Sequence, residues 1–243
     1  MLKFILISLL SLMPIAAFEL PRSCKQVVLG VADDWGSSHV QLAMYEKSGS
    51  NWKPVMKSWP GRLGKNGMVW GRGLHPLAKG SAMKKEGDAK APAGVFWIGG
   101  AYGYAPQIKK NRALSYRQIT TRDLWVEDSN SPYYNRHLVI EHEPKTAWEK
   151  KQQMRQGDHA HSLKLFVAHN AADHGKKATP GGGSAIFFHI WRDNGGRATH
   201  GCTSMREDKL KEMISKVDPS KNPVFVLLPK AEYQRLKTSW KLP

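Results

Sequence analysis

The residues of this 243-residue chain with the clearest capacity for chemistry stand together in ATHGCTSM, residues 198–205. A thiol, Cys202, follows a histidine and a glycine, with hydroxyl side chains on either side. A thiol beside an imidazole is an acyl-transfer pair. The imidazole takes the thiol proton, the sulfur attacks a carbonyl carbon, and the imidazole returns a proton to the leaving amine. Gly201 permits a turn in which consecutive backbone N–H groups converge on one point, as an oxyanion requires. His200, next to that glycine, and His189, delivered by the apolar run SAIFFHIW (184–191), are both candidates for the base.

Two other uses of Cys202 compete with nucleophilic attack. A metal site needs ligands at recognisable spacing, and none of the usual paired patterns is present, so no metal or other cofactor is expected. His137 with His142, or His159 with His161, offers at most an adventitious zinc site. A disulfide with Cys24, the one other cysteine, is the more serious competitor in an exported chain. It would leave an inactive binding module.

The elements that must position Cys202 are mostly strands. KQVVLGVA, HVQLAMYE, VFWIGGAY, HLVIEH, LKLFVAHN, SAIFFHIW and PVFVLL are rich in β-branched and aromatic residues and separated by turn signals. Helical patterns are fewer: AWEKKQQM (147–154), REDKLKEMISKV (206–217) and AEYQRLK (231–237). In the second, Leu210, Met213, Ile214 and Val217 form one apolar face, with Glu207 and Asp208 in the first turn where the dipole favours them. The spacing predicts a mainly β (α+β) domain with a few covering helices. Cys202 would then lie just ahead of a helix N-terminus, which lowers a thiol pKa.

GRLGKNGMVWGRGLHP (61–76) has glycines but neither a dinucleotide fingerprint nor a P-loop, and reads as turns and a loop. PGGGSAIFFH (180–189) reads as a flexible lead into a strand, a hinge or lid edge at most. The stretch from Leu77 to Ala93 reads as an exposed loop. Asp123, Glu127 and Asp128 are expected to cap a turn or meet a basic face, and the tryptophans to form core and cleft walls. His75, His169 and His174 are expected to satisfy local hydrogen bonds, while Tyr133, Tyr134 and Asn135 are candidate cleft residues.

The chain opens with Lys3 and the apolar run FILISLLSLMPIAA, which reads as a signal peptide over 1–17, leaving 18–243 as one domain with no later transmembrane span. Periplasmic or other extracytoplasmic localisation follows. The formal net charge of +17 points to an acidic polymer outside the cytoplasm. Nucleic acid is not expected, because the basic residues are scattered and the chain is exported.

The order His189, Thr199, His200, Gly201, Cys202 resembles the active-site motif of the L,D-transpeptidases, the YkuD-like catalytic domain of exported enzymes that remodel peptidoglycan through a cysteine acyl-enzyme. WPGRLGKNGMVWGRGLHP, KKEGDAKAPAGVFWIGGAYGY, DLWVEDSNSPYYN and GSAIFFHIW, in that order, extend the resemblance over nearly all of the mature chain. The resemblance implies Cys202 as nucleophile and His189 as base, with His200 supporting the site. It also implies a β-sandwich or barrel, Gly201 and Cys202 N–H groups in an oxyanion hole, and a cleft under a lid or cap. Thr199, Ser204, Arg206, Arg192 and Tyr134 are expected around the substrate. The implied partners are peptidoglycan stem peptides, with a lipoprotein acceptor as a further candidate, and the implied reaction is L,D-transpeptidation, with L,D-carboxypeptidase or other hydrolase chemistry as the alternative. Two departures matter: the interval from His189 to Thr199 is shorter than in better-described members, and Ser204 stands where they often have Asn or Arg.

Overall fold

The computed structural model describes residues 18–76, 80–172 and 177–243. The leader expected at 1–17 and His174 lie outside these residues. The strands are β1 (Gln26–Ala32), β2 (His39–Ser48), β3 (Asn51–Pro54), β4 (Trp59–Arg62), β5 (Met68–Trp70), β6 (Ala91–Gly103), β7 (Tyr116–Gln118), β8 (Asp123–Trp125), β9 (His137–Val139), β10 (Leu163–Val167), β11 (Phe187–Ile190), β12 (Thr203–Met205) and β13 (Val224–Pro229). The helices are α1 (Ala147–Lys151), α2 (Glu207–Lys216) and α3 (Lys230–Leu236).

The main sheet runs β1, β13, β6, β10, β11, β12, β4, β2 and closes when β2 pairs back onto β1. The result is a barrel, which settles the sandwich-or-barrel expectation. Only β1 with β13 and β11 with β12 pair in parallel around this ring. Side chains alternate across it, as the period of a strand demands. Val28, Leu42, Met44, Phe96, Leu165, Phe188, Met205 and Phe225 fill the interior. Each such side chain contributes about 1.5–3 kcal/mol by leaving water. Leu210, Met213 and Ile214 of α2 are buried with them, so the apolar face read from the sequence covers the barrel. The opposite faces of β1 and β13 make a second layer with α3, Trp240 and Cys24.

Several expectations need correction. The glycine-rich segment expected to be turns and a loop begins inside β4, a barrel strand, and holds β5; Gly61 is required in β4 because a Cβ would meet Leu42 and the Ser204 carbonyl oxygen at 2.8 and 2.9 Å. The stretch expected to be an exposed loop carries buried Lys84, Ala89, Ala91 and Ala93 and becomes β6 at Ala91. The supposed hinge is pinned: the Gly182 carbonyl faces His169 Nε2 at 3.0 Å, and the Gly183 carbonyl accepts from Asn170 Nδ2 at 3.0 Å. HLVIEH forms only the short β9, which pairs with β8 away from the barrel.

Candidate active site

β11 sorts its side chains by alternation, Phe188 and Ile190 into the barrel core and Phe187 and His189 to the other face. There a cavity of about 540 Å³ opens, lined among others by His189, Cys202, Ser204, Lys164, Trp125 and Glu127. The register explains the grouping. Ser204 of β12 is paired with His189, and Lys164 of β10 is paired with His189 on its other side. Residues in register share a face, so Lys164, His189 and Ser204 form one row. Cys202, two residues before Ser204, lies beside Phe187.

The Cys202 thiol donates to the Ala185 carbonyl at 3.4 Å, and its sulfur accepts from the Phe187 N–H at 3.4 Å. Burial pushes the thiol pKa up, while the Phe187 N–H and the charge of Lys164 pull it down less strongly. This corrects the expected lowering by a helix dipole. β12 intervenes between Cys202 and α2, which begins at Glu207, so the thiol is not at that helix terminus. The alternative Cys24 disulfide is also absent: both cysteines are free, Cys24 in the layer beneath α3 and Cys202 in the cavity wall.

His189 is buried and its Nδ1 faces the Ile190 carbonyl at 2.7 Å. A carbonyl accepts only, so Nδ1 carries the proton and Nε2 keeps its lone pair. Burial, with the neighbouring His161 next in weight, lowers the His189 pKa to about 3, which holds the ring neutral. His161 stacks on it with ring centroids 5.0 Å apart, and its own Nδ1 pairs with Asp158 at 2.8 Å. His200 lies at the exposed edge of the same cavity.

Gly201 adopts φ +138°, and a Cβ there would lie 3.0 Å from the Lys90 carbonyl oxygen. The glycine is therefore conformationally required. Its N–H donates to Thr199 Oγ1 at 3.1 Å, and that hydroxyl donates to the Cys202 carbonyl at 2.6 Å. Thr199 thus braces the loop, and the Gly201 N–H is engaged rather than directed at a ligand.

The remaining expected residues divide. Thr199, Ser204 and Arg192 line the cavity; Arg192 is tied to Asp158 and reaches His161 Nδ1 at 3.2 Å. Arg206 does not line it, being the exposed N-cap of α2 and bonded to Asp208 at 2.5 and 2.6 Å. Tyr134 stands one layer back, its hydroxyl donating to Glu86 Oε2 at 2.5 Å, which Ser184 also reaches at 2.7 Å. Asp123 does cap its turn and meet basic groups: it accepts from Thr120, Arg117 and His137. Glu127 instead lines the cavity, its pKa raised by burial and then by Glu86.

Sequence reading passed over Glu86, Lys164 and Asp158, and considered His161 only as an adventitious zinc ligand. Lys164 was visible as the polar member of LKLFV, whose alternating Leu163, Leu165 and Val167 enter the core. Trp125 and Gln152 to Met154 bring the segment around β8, β9 and α1 over the cavity as a cap. Among the described residues no group of three or more His, Cys, Asp or Glu side chains is arranged to hold a metal ion. No helix among them is long and apolar enough to cross a membrane.

The L,D-transpeptidase catalytic domain family, YkuD, matches residues 37–226. The chain belongs to this family. The span matched to YkuD takes in the cavity described above, from Lys84 through Lys164 and His189 to Cys202. Among solved structures, Bd1075 of Bdellovibrio bacteriovorus is similar at TM-score 0.41 and 14% identity, covering 92% of this chain and 57% of its own. The helical cell shape determining protein Pgp2 of Campylobacter jejuni is similar at TM-score 0.37 and 13% identity, over 85% of this chain and 48% of its own. This YkuD chain therefore spans about half the length of those structures. Comparison with curated protein sequences gives no significant match.

Proposed function

We propose that this protein is an exported peptidoglycan L,D-transpeptidase that works through a Cys202 thioester. The observation that carries the reading is the placement of one thiol and one neutral imidazole with a free Nε2 in the wall of the same 540 Å³ cavity, within a YkuD domain. Periplasmic localisation is part of the proposal, supported by the apolar leader-like start and by a net charge of +17 suited to an acidic wall polymer.

The steps follow from the proton inventory. Cys202 Sγ attacks the carbonyl at the L-centre of the diamino acid in a tetrapeptide stem, and its proton passes to His189 Nε2. The thiol pKa is raised and the imidazole pKa lowered, so transfer before attack is uphill and proceeds together with C–S bond formation. Negative charge on the carbonyl oxygen is received by the Cys202 N–H, joined by the Gly201 N–H when Thr199 releases it. The C–N bond to terminal D-Ala then breaks, and the imidazolium gives the amine its proton. An amine of another stem, or of a lipoprotein lysine, attacks the thioester, loses a proton to His189 and restores the thiol. Water attacking instead makes the enzyme an L,D-carboxypeptidase.

Incubation with tetrapeptide muropeptides followed by mass analysis tests the proposal. Dimers joined between two diamino acids, made by the wild type and absent with Cys202→Ala, support transpeptidation. Tripeptide monomers alone would replace that label with hydrolysis, and no Cys202-dependent product from either route would refute the reading.

A further inference from the structure

Lys164 is a buried lysine in the middle of an apolar strand. The residue is 3% exposed, and its Nζ donates to the Met154 carbonyl at 2.8 Å. The ammonium lies 5.6 Å from the centroid of the Phe187 ring, the residue whose N–H meets the sulfur of Cys202. In register it is the cross-strand neighbour of His189, and it lines the same cavity as Cys202. Among the described residues it forms no ion pair. Burying an ammonium against one neutral carbonyl is costly unless a negative charge develops nearby.

We propose that Lys164 is a positioning residue for Cys202, its ammonium compensating the charge of the sulfur as the thiolate forms. The inference rests on Cys202 being the nucleophile. No proton leaves Lys164 in this role; the thiol proton goes to His189 or to solvent, and the ammonium stays charged beside the sulfur. The surrounding charges are mixed. Glu127 from the cap and Glu86 from the loop before β6 oppose a thiolate, whereas Lys84 from that loop favours it. His189 of β11, His161 with Asp158, Arg192, the edge residue His200, and Lys65 and Arg197 on the cavity wall are the other titratable and charged groups around the sulfur. Lys164 is the one cation among them that is both buried and in register with the proposed base. Burial lowers its pKa to about 8, and the charge of Cys202 acts against that lowering, so the two groups titrate as a pair.

The test is the rate of Cys202 alkylation by iodoacetamide against pH, read by peptide mass, which needs no substrate and fails or succeeds independently of acylation. In Lys164→Met the midpoint is expected to rise by about one pH unit and the rate near neutrality to fall about tenfold. Lys164→Arg, keeping the charge, is expected to stay within about threefold of the wild type. An unchanged midpoint in a folded Lys164→Met protein would overturn the proposal. Should that variant not fold, the reciprocal measurement decides: the Lys164 side-chain NMR titration midpoint is expected to be lower in Cys202→Ser than in the wild type, and equal midpoints would overturn it.

Discussion

The indole N–H of Trp125 donates to Asn135 Oδ1 at 2.9 Å, a bond within the cap that fixes the asparagine through which the cap is tied to the rest of the fold. The same oxygen accepts from the Ala185 N–H at 3.1 Å, and Asn135 Nδ2 donates to the carbonyls of His169 and Asn170, each at 2.9 Å. Ala185 in turn holds the Cys202 thiol through its carbonyl. Asn135 is buried with φ +57°, a conformation that asparagine tolerates better than alanine. Asn135→Ala is therefore expected to cost about 3–5 kcal/mol in urea unfolding, from several buried groups left without partners, and to slow acylation of Cys202. A loss below 1 kcal/mol by this measure would contradict the bracketing role.

Arg192 and Arg206 separate a site residue from a surface one. Among the described residues Arg206 pairs only with Asp208, at the exposed start of α2, so Arg206→Ala is expected to leave turnover within about twofold of the wild type. Arg192 holds Asp158 and His161 beside His189, and Arg192→Ala is expected to lower kcat by about tenfold or more. Paired steady-state assays check both, and equal effects would contradict the assignment.

Stability is expected to fall on mild acidification. Burial lowers His75 to about 4 and both His169 and His189 to about 3, so these rings stay neutral in the fold and protonate in the unfolded chain near its ordinary value. The unfolded state then binds more protons below about pH 6.5, which means stability rises with pH through this window and is lost as pH falls toward the folded values. With all three contributing the slope reaches about 4 kcal/mol per pH unit near pH 5. Asp158, held down at about 2 by Arg192 and His161 against its own burial, extends the loss to lower pH. Urea midpoints measured at pH 7 and pH 5 check this, and equal midpoints would contradict it.

The two thiols are expected to differ in reach. Cys24 is buried beneath α3 with its pKa pushed up to about 11, chiefly by burial, whereas Cys202 is partly accessible through the cavity. Intact-mass analysis after brief alkylation should show one label in the native protein, at Cys202, and two after denaturation. A native label at Cys24 would contradict the packing.

The sequence made the barrel legible where strands were long and apolar on both faces, as in QVVLGVA and VFVLLP, and made α2 legible through its one apolar face. It hid β4 and β12, because a strand of three or four residues containing Pro60 and Gly61, or Thr203 and Ser204, carries too few side chains to show a period. Missing β12 also displaced Cys202 to a helix end it does not occupy. His189, Thr199, Gly201, Cys202 and Ser204 could be read from one short motif because they lie close together along the chain. Glu86 and Lys164 could not, since they reach the cavity from separate segments by loop packing and strand register; Glu86 looks in sequence like a solvated charge, and Lys164 shows only as the polar member of an apolar run with nothing to say what it faces.

The most direct test of Cys202 as an acyl-enzyme nucleophile is the intact mass of the wild type and of Cys202→Ala after incubation with a tetrapeptide stem and, in parallel, with a carbapenem as acylating analogue. The expected result is a covalent adduct on the wild type, mapped to Cys202 and absent from the folded variant. An unmodified wild type under both treatments, or an adduct that persists in Cys202→Ala, would contradict it.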